Sequence, residues 1–145
     1  MLAAPAPVLR LASATASVDM PLPVDGTYRS GYRQSIYGVP VEETERATAR
    51  SVIVVRARSS DRRSLEYYRW GDDTIVFDGA GFAQDAPNVA MAAPIRISVT
   101  DDGEQWIEAD GVRVALLERF GANVVTVTPA SVPRLGWLLA HLAPR

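Results

Sequence analysis

The chain has 145 residues, of which 48% are hydrophobic and 22% charged, and its formal net charge is −2 at pH 7. This length suits one globular domain that buries a core without disulfides or a metal, and the lack of cysteine excludes disulfides, thiolate metal sites and a cysteine nucleophile. The slightly acidic balance argues against a general nucleic-acid binder, and no apolar run approaches the roughly 20 residues of a membrane span.

Residues 1–26 are rich in alanine, proline and serine. The start has no basic region, and prolines and Arg10 interrupt its apolar stretch, so no secretory signal peptide is expected. Proline-flanked segments favour polyproline or edge-strand conformations. The composition therefore predicts an extended N-terminal arm over 1–26, followed by a single β-rich domain over 27–145.

The strongest β signal lies in residues 94–128, where alternating apolar runs are separated by Asp-Gly sequences. Turns at 101–103 and 110–111 are typical of β-hairpins. We therefore expect an antiparallel meander through this segment, with a last apolar run over 112–117 and a turn at 119–122.

The region before this segment contains further strands and two ambiguous stretches. Residues 51–58 and 64–70 predict a hairpin around a basic loop, and 74–77 predicts one more strand. Residues 27–37 fit either a strand broken at Gly31 or a loop, and residues 41–50 fit either a helix or the approach to the next strand.

Two features flank the central segment. Residues 78–93 contain Gly79, Gly81 and Pro87, which predicts a long loop. Near the C-terminus a leucine stripe with helical spacing follows Ser131 and Pro133, residue types that favour a helix start. The stripe consists of Leu135, Leu138, Leu139 and Leu142.

These elements predict a mainly β fold. It would be an antiparallel meander closed as a small barrel or a two-layer sandwich, with a short C-terminal amphipathic helix and the extended N-terminal arm. Strands and helices do not alternate along the sequence, so a parallel βαβ fold is not expected.

Charge is distributed unevenly along the chain. Residues 29–69 contain nine arginines and five acidic residues, a balance of +4, whereas residues 70–118 contain ten acidic residues and two arginines, a balance of −8. Such a bipolar surface could pair head-to-tail with a second copy of the chain.

Groups that could carry chemistry are sparse. His141 is the only histidine, which excludes a zinc site built from several histidines, and the Gly-x-Ser-x-Gly pattern of a nucleophile elbow does not occur. The aspartates at 72–73 and 101–102 stand beside glycines, a combination that turns select for backbone reasons. We therefore predict a protein that is not an enzyme, without catalytic residues, metal site or cofactor.

Basic and aromatic residues form the best candidate for a binding surface, because bases of single-stranded nucleic acid stack on aromatic rings within basic grooves. Most of them cluster around the predicted hairpin at 52–70, and the others lie in the preceding stretch. The candidate binding residues are Arg56, Arg58, Arg62, Arg63, Tyr67, Arg69, Tyr28, Arg29, Tyr32 and Arg33.

The leading functional prediction is a non-catalytic structural or assembly module, such as a phage or virion component. It would self-associate, or dock with other subunits of a larger particle, through its N-terminal arm and its bipolar surface. One alternative is a single-stranded nucleic-acid-binding barrel that uses the hairpin at 52–70. Another is a β-barrel that binds a small ligand. The chain is expected to be soluble, either free or within a virion.

Overall fold

The computed structural model of the chain describes residues 4–135 and 138. Its strands, in chain order, are β1 (Ala6–Ala12), β2 (Ser17–Pro21), β3 (Thr27–Gln34), β4 (Val39–Ala47), β5 (Ser51–Ser59), β6 (Val76–Phe77), β7 (Phe82–Ala92), β8 (Ile95–Ser98), β9 (Trp106–Ala109), β10 (Val112–Ala115) and β11 (Val124–Val132). Two five-residue helices accompany them, α1 (Arg62–Glu66) and α2 (Leu116–Phe120).

The strands form two antiparallel sheets, which confirms the predicted mainly β class. The smaller sheet has the strand order β2-β1-β11-β8, and the larger has the order β10-β9-β3-β4-β5-β7-β6. The main hydrophobic cluster takes side chains from both sheets, so the core lies where the sheets meet. Its buried members include Leu9, Leu11, Met20, Val125 and Val127 from the smaller sheet and Tyr28, Val52, Ile107 and Ala109 from the larger.

The predicted N-terminal arm is not confirmed, because its residues form strands inside the domain. β1 pairs with β2 on one side and with β11 on the other, where Leu9 lies opposite Pro129. Leu9 and Leu11 are fully buried, whereas Arg10 between them pairs with Asp19 at 2.7 Å. The alternation of apolar and polar residues, and not the proline content, therefore decides how this segment folds.

Only one of the two hairpins predicted in the central segment forms. Asp110 and Gly111 connect β9 to β10, and their φ values of 48° and 75° are those that a two-residue hairpin turn requires. The turn at 101–103 instead carries the chain from β8 in the smaller sheet to β9 in the larger. The prediction of one continuous meander is therefore wrong, and no closed barrel is found among the described residues.

The strand predicted at 64–70 is replaced by helix α1. Asp61 caps this helix, since its side chain accepts a hydrogen bond from the backbone N–H of Arg63 at 3.0 Å. Leu65 is fully buried and packs against Ala57 of β5 in a second, smaller hydrophobic cluster. A capping side chain and one buried leucine outweigh the weak strand pattern here.

The loop predicted at 78–93 is also wrong, since most of it is strand β7. This strand pairs with β5, the strand predicted at 51–58, whose prediction is confirmed. Pro87 has no backbone N–H and cannot donate a hydrogen bond to a neighbouring strand. It lies where the register of β5 and β7 shifts between Val54 and Arg56, an irregularity at which no donor is required.

Residues 27–37 and 41–50, which each fitted two structures, contain strands β3 and β4. These two strands pair antiparallel, with Tyr28 opposite Glu45. β3 passes through Gly31 without a break. The helix considered for 41–50 is therefore wrong, because neighbouring strands on both sides supply hydrogen-bond partners that a local pattern does not reveal.

The last part of the chain differs from the prediction at one further point. The apolar run expected over 112–117 is a strand only as far as Ala115. Helix α2 begins at Leu116 and takes in the first half of the turn expected at 119–122. Most of the predicted C-terminal helix, together with His141, lies outside the described residues. Within the described part of the chain, the helices are too short or too polar to cross a membrane.

Candidate functional site

The ten residues predicted to form one binding surface do not share a face. On β3, Tyr28 is buried and Tyr32 half-buried, whereas Arg33 is exposed, because successive side chains of a strand point to opposite sides of the sheet. Tyr67 and Arg69 are exposed and follow α1. The fold therefore separates the predicted aromatic residues from most of the predicted arginines.

Six of the seven arginines in this set form ion pairs within the chain. The pairs are Arg29 with Glu42 (3.0 Å) and with Glu108, Arg33 with Glu104 (3.3 Å), Arg56 with Asp85 (2.7 Å), Arg58 with Asp78 (2.6 Å), Arg62 with Glu66 (2.8 Å) and Arg63 with Asp61 (2.5 Å). Several of them connect the basic segment 29–69 with the acidic segment 70–118. Four of the ten acidic residues in 70–118 thus pair with arginines of 29–69 inside one chain.

The outer face of the larger sheet carries the most connected part of this ion-pair pattern. Glu108 of β9 accepts hydrogen bonds from Arg29 of β3 and from Arg113 of β10, the latter at 2.8 Å. Both hydrogen bonds lower the pKa of Glu108, and the one from Arg29 has the larger effect. The guanidinium of Arg113 also lies over the Trp106 ring, 3.8 Å from its centroid, a cation–π arrangement.

The inner face of the same sheet borders a cavity of about 220 Å³. Both sheets and α2 contribute to its apolar lining, which consists of Met91, Ile95, Ile97, Ile107, Leu116 and Val127. A dry cavity of roughly 150 Å³ can hold a benzene molecule. This cavity therefore has room for a single ring with a short side chain, or for a hydrocarbon of similar size.

The polar part of the lining comes mainly from β3 and β4. Glu43 and Glu45 lie two residues apart on β4, so their side chains point to the same side of the sheet. Hydroxyl groups are their hydrogen-bond donors: Tyr28 and Ser30 donate to Glu45, and Tyr68 donates to Glu43. Because the proton of Tyr68 points to Glu43, the Tyr68 oxygen accepts the hydrogen bond from Tyr32 at 2.7 Å.

Burial controls the protonation of this cluster. It raises the pKa of Glu43 to about 7, with the Tyr68 hydrogen bond opposing the shift and the charge of Glu45 adding to it. Burial also raises the pKa of Glu45, against the hydrogen bonds from Ser30 and Tyr28. Transfer of a carboxylate from water into an apolar environment disfavours its charged form. Near neutral pH Glu43 is therefore partly protonated.

The sequence interpretation did not identify these two carboxylates as site residues, although a signal for them exists. If residues 41–47 are taken as a strand, Val41, Glu43, Glu45 and Ala47 share one face. Two apolar residues on that face indicate that it is buried, and two acidic residues between them then mark a buried polar site. Val41 is indeed 1% exposed and Glu45 7% exposed.

The carboxylates do not belong to a larger set of metal ligands. Within residues 4–135 and 138, no group of three or more histidine, cysteine, aspartate or glutamate side chains is arranged to hold a metal ion.

Comparison of the chain with protein-family models, with curated proteins and with solved structures gives no match. The local geometry of the cavity is therefore the basis for a functional proposal.

Proposed function

We propose that the chain is a binding protein that holds a small organic molecule in the cavity between its sheets. The observation that carries this proposal is an apolar cavity with Glu43 and Glu45 in its lining. Ligand sites in proteins are typically concave and mostly apolar, with a few polar groups that orient the ligand.

The position of Glu45 adds support. A buried carboxylate costs free energy even when hydroxyl groups donate hydrogen bonds to it. An apolar side chain of similar volume at this place would favour folding at lower cost. The presence of two such glutamates beside a cavity is therefore better explained by binding than by packing.

The two observations behind the assembly prediction have explanations within one chain. Residues 6–12 and 17–21 are strands of the smaller sheet, and arginines of the basic segment pair with carboxylates of the acidic one. Ion pairing also leaves the arginines with less charge to offer a nucleic acid. Self-association, nucleic-acid binding and the absence of catalysis stay predictions, and the cavity gives the strongest support to ligand binding.

Binding can be tested by protein-observed NMR with a panel of one-ring compounds that carry an ammonium, a hydroxyl or a carboxylate group. We expect at least one class to shift the amide signals of Gly31, Ile107 and Val127, which border the cavity. In the variant Ile97→Trp, a larger side chain on the edge strand β8 should occupy the cavity and abolish these shifts.

The matched control is Val55→Trp, which adds the same indole at a residue that is 41% exposed on β5 and lies outside the cavity lining. This variant should bind like the wild type. If no compound of the panel shifts the cavity signals, or if Ile97→Trp binds as well as the wild type while remaining folded, the proposed function is wrong.

A further inference from the structure

The electrostatic character of the cavity restricts the chemical class of its ligand. The polar side chains that line it are glutamates, tyrosines, a serine and a glutamine, and none of the described lining residues is basic. An anionic ligand would meet repulsion from Glu43 and Glu45 without a compensating positive charge. The site therefore favours a ligand that brings hydrogen-bond donors or a positive charge.

The two carboxylates also have hydrogen-bond capacity to spare. Two ionised carboxylates offer roughly eight acceptor positions, whereas three hydroxyl groups of the described residues donate to them, those of Tyr28, Ser30 and Tyr68. An alkylammonium group supplies three donors and one positive charge. It would fill part of this unused capacity and offset the cost of burying negative charge.

A metal ion fits the cavity less well than an organic cation does. Calcium takes six to eight oxygen ligands and magnesium requires octahedral coordination, and the described residues contain no group of three or more side chains that could hold a metal. The apolar lining, which includes Ile95, Ile97 and Val127, would instead contact a hydrocarbon body.

On the basis of the proposed function, we propose that the ligand is a small protonated amine with an apolar body. Its ammonium group lies against Glu43 and Glu45, and its hydrocarbon part, about the size of one ring with a short side chain, lies against the apolar lining. Binding of this cation requires an ionised carboxylate, so it is coupled to the release of a proton from the glutamate pair below neutral pH.

The groups that face Glu43 determine this coupling. They are Glu45 on its own strand, Tyr28 and Tyr32 on β3, and Tyr68 in the segment after α1. The pKa of each of these tyrosines is raised, first of all by burial, so the tyrosines stay neutral. Glu43 is therefore the group that changes charge near physiological pH, beside Glu45, whose pKa is raised as well.

Calorimetric titration with 2-phenylethylammonium, 2-phenylethanol and phenylacetate tests the inference, because these probes have similar bodies and differ in charge. At about pH 8 we expect the ammonium to bind at least roughly tenfold more tightly than the alcohol, and phenylacetate to bind most weakly. At about pH 5.5 the ammonium should lose roughly tenfold or more in affinity, because Glu43 is then mostly protonated, while the alcohol should change little.

Two variants locate the effect. Glu43→Gln keeps an acceptor for Tyr68 but removes one of the two carboxylates, so it should clearly reduce the preference for the ammonium over the alcohol, with Glu45 supplying what remains. Glu42→Gln changes the next residue, which pairs with Arg29 on the outer face, and should keep the preference. Circular dichroism and urea unfolding would establish that both variants are folded.

The outcomes separate this inference from the proposed function. If the alcohol binds as tightly as the ammonium at about pH 8, or if Glu43→Gln keeps the preference undiminished, the cation inference is overturned while cavity binding stands. If none of the three probes binds, the proposed function fails and the cation inference fails with it.

Discussion

The two faces of strand β4 place neighbouring glutamates in opposite environments. Glu42 points to the outer face of the larger sheet, where Arg29 donates to it at 3.0 Å. Glu43 points to the inner face and receives a hydrogen bond from the Tyr68 hydroxyl. One step along the strand thus moves a carboxylate from an exposed ion pair to a buried cluster of hydroxyl groups.

The pKa values of the glutamates follow this difference. On the outer face, hydrogen bonds from Arg29 and Arg113 lower the pKa of Glu108. On the inner face, burial raises the pKa of Glu43 to about 7 and also raises that of Glu45. Glu108 on the outer face therefore stabilises the fold when ionised, whereas the inner carboxylates oppose folding when ionised. The inner face accepts a cost in stability, which is typical of functional sites.

Glu43→Gln is expected to have the largest effect on stability. The folded state holds a proton on Glu43 up to about pH 7, while an unfolded glutamate loses it near its ordinary pKa of 4.5. The free energy of unfolding therefore falls as the pH rises between these values, by on the order of 3 kcal/mol for a shift of this size. The variant should gain most of this amount at about pH 8 and little at about pH 5, as measured by urea unfolding.

Glu42→Gln serves as the control for that measurement. It removes one exposed ion-pair partner, so the loss should stay below about 1 kcal/mol and should not grow between about pH 5 and pH 8. A stability difference between Glu43→Gln and the wild type that is independent of pH would contradict a buried, titrating Glu43.

Gly31→Ala tests the close packing of the Trp106 indole on the outer face. A Cβ atom at Gly31 would lie 2.2 Å from Cε2 of the Trp106 indole, so the ring or the strand must move. Such overpacking typically costs about 1–3 kcal/mol, which thermal or urea unfolding can measure. The tryptophan fluorescence of the protein, to which Trp106 contributes as one of three tryptophans, should change as the ring is displaced.

The control for this contact is to introduce Gly31→Ala into the variant Trp106→Ala. There the indole is absent, so adding Gly31→Ala should cost less than about 0.5 kcal/mol, and the double-mutant cycle isolates the contact. An equal cost in both backgrounds would place the strain in the backbone of β3 and not in the approach of the indole.

Glu108→Gln is expected to have the smallest effect. It weakens the pairs with Arg29 and Arg113, whose side chains are 43% and 48% exposed, so the loss at neutral pH should be about 1 kcal/mol or less. This contribution is present above the unfolded pKa of 4.5 and is lost as the pH falls through the lowered pKa of the folded state. Unfolding at low salt and at about 1 M salt should show the loss shrinking with salt, whereas the effect of Glu43→Gln should persist.

Several elements were predictable because their signals are local. The turn at Asp110-Gly111 needs positive φ at both positions, and this dipeptide adopts such values readily. The strand β5 shows a continuous apolar run that few other structures accommodate. By contrast, the strand predicted at 64–70 failed because Asp61 caps a helix there, and β7 was missed because Pro87 lies at an irregularity in the ladder.

The candidate site was harder to predict than the fold class. The sequence interpretation selected arginines and tyrosines together, yet the period of two along β3 sends Tyr28 and Tyr32 inward and Arg29 and Arg33 outward. It also left the glutamates of β4 in a stretch that fitted either a helix or the approach to the next strand. The alternation of side chains along this stretch can be read from the sequence, but it indicates which residues share a face only if the stretch is a strand.

The sequence by itself determined the mainly β class and the hairpin at Asp110-Gly111. Each of these depends on backbone preferences or on spacing within a few residues. The tertiary structure alone decided which sheet each strand joins, which carboxylates pair with the arginines and which face of β4 is buried. These outcomes depend on partners far away in the chain, such as Glu108 for Arg29 and β11 for β1, whose contacts form only when the sheets come together.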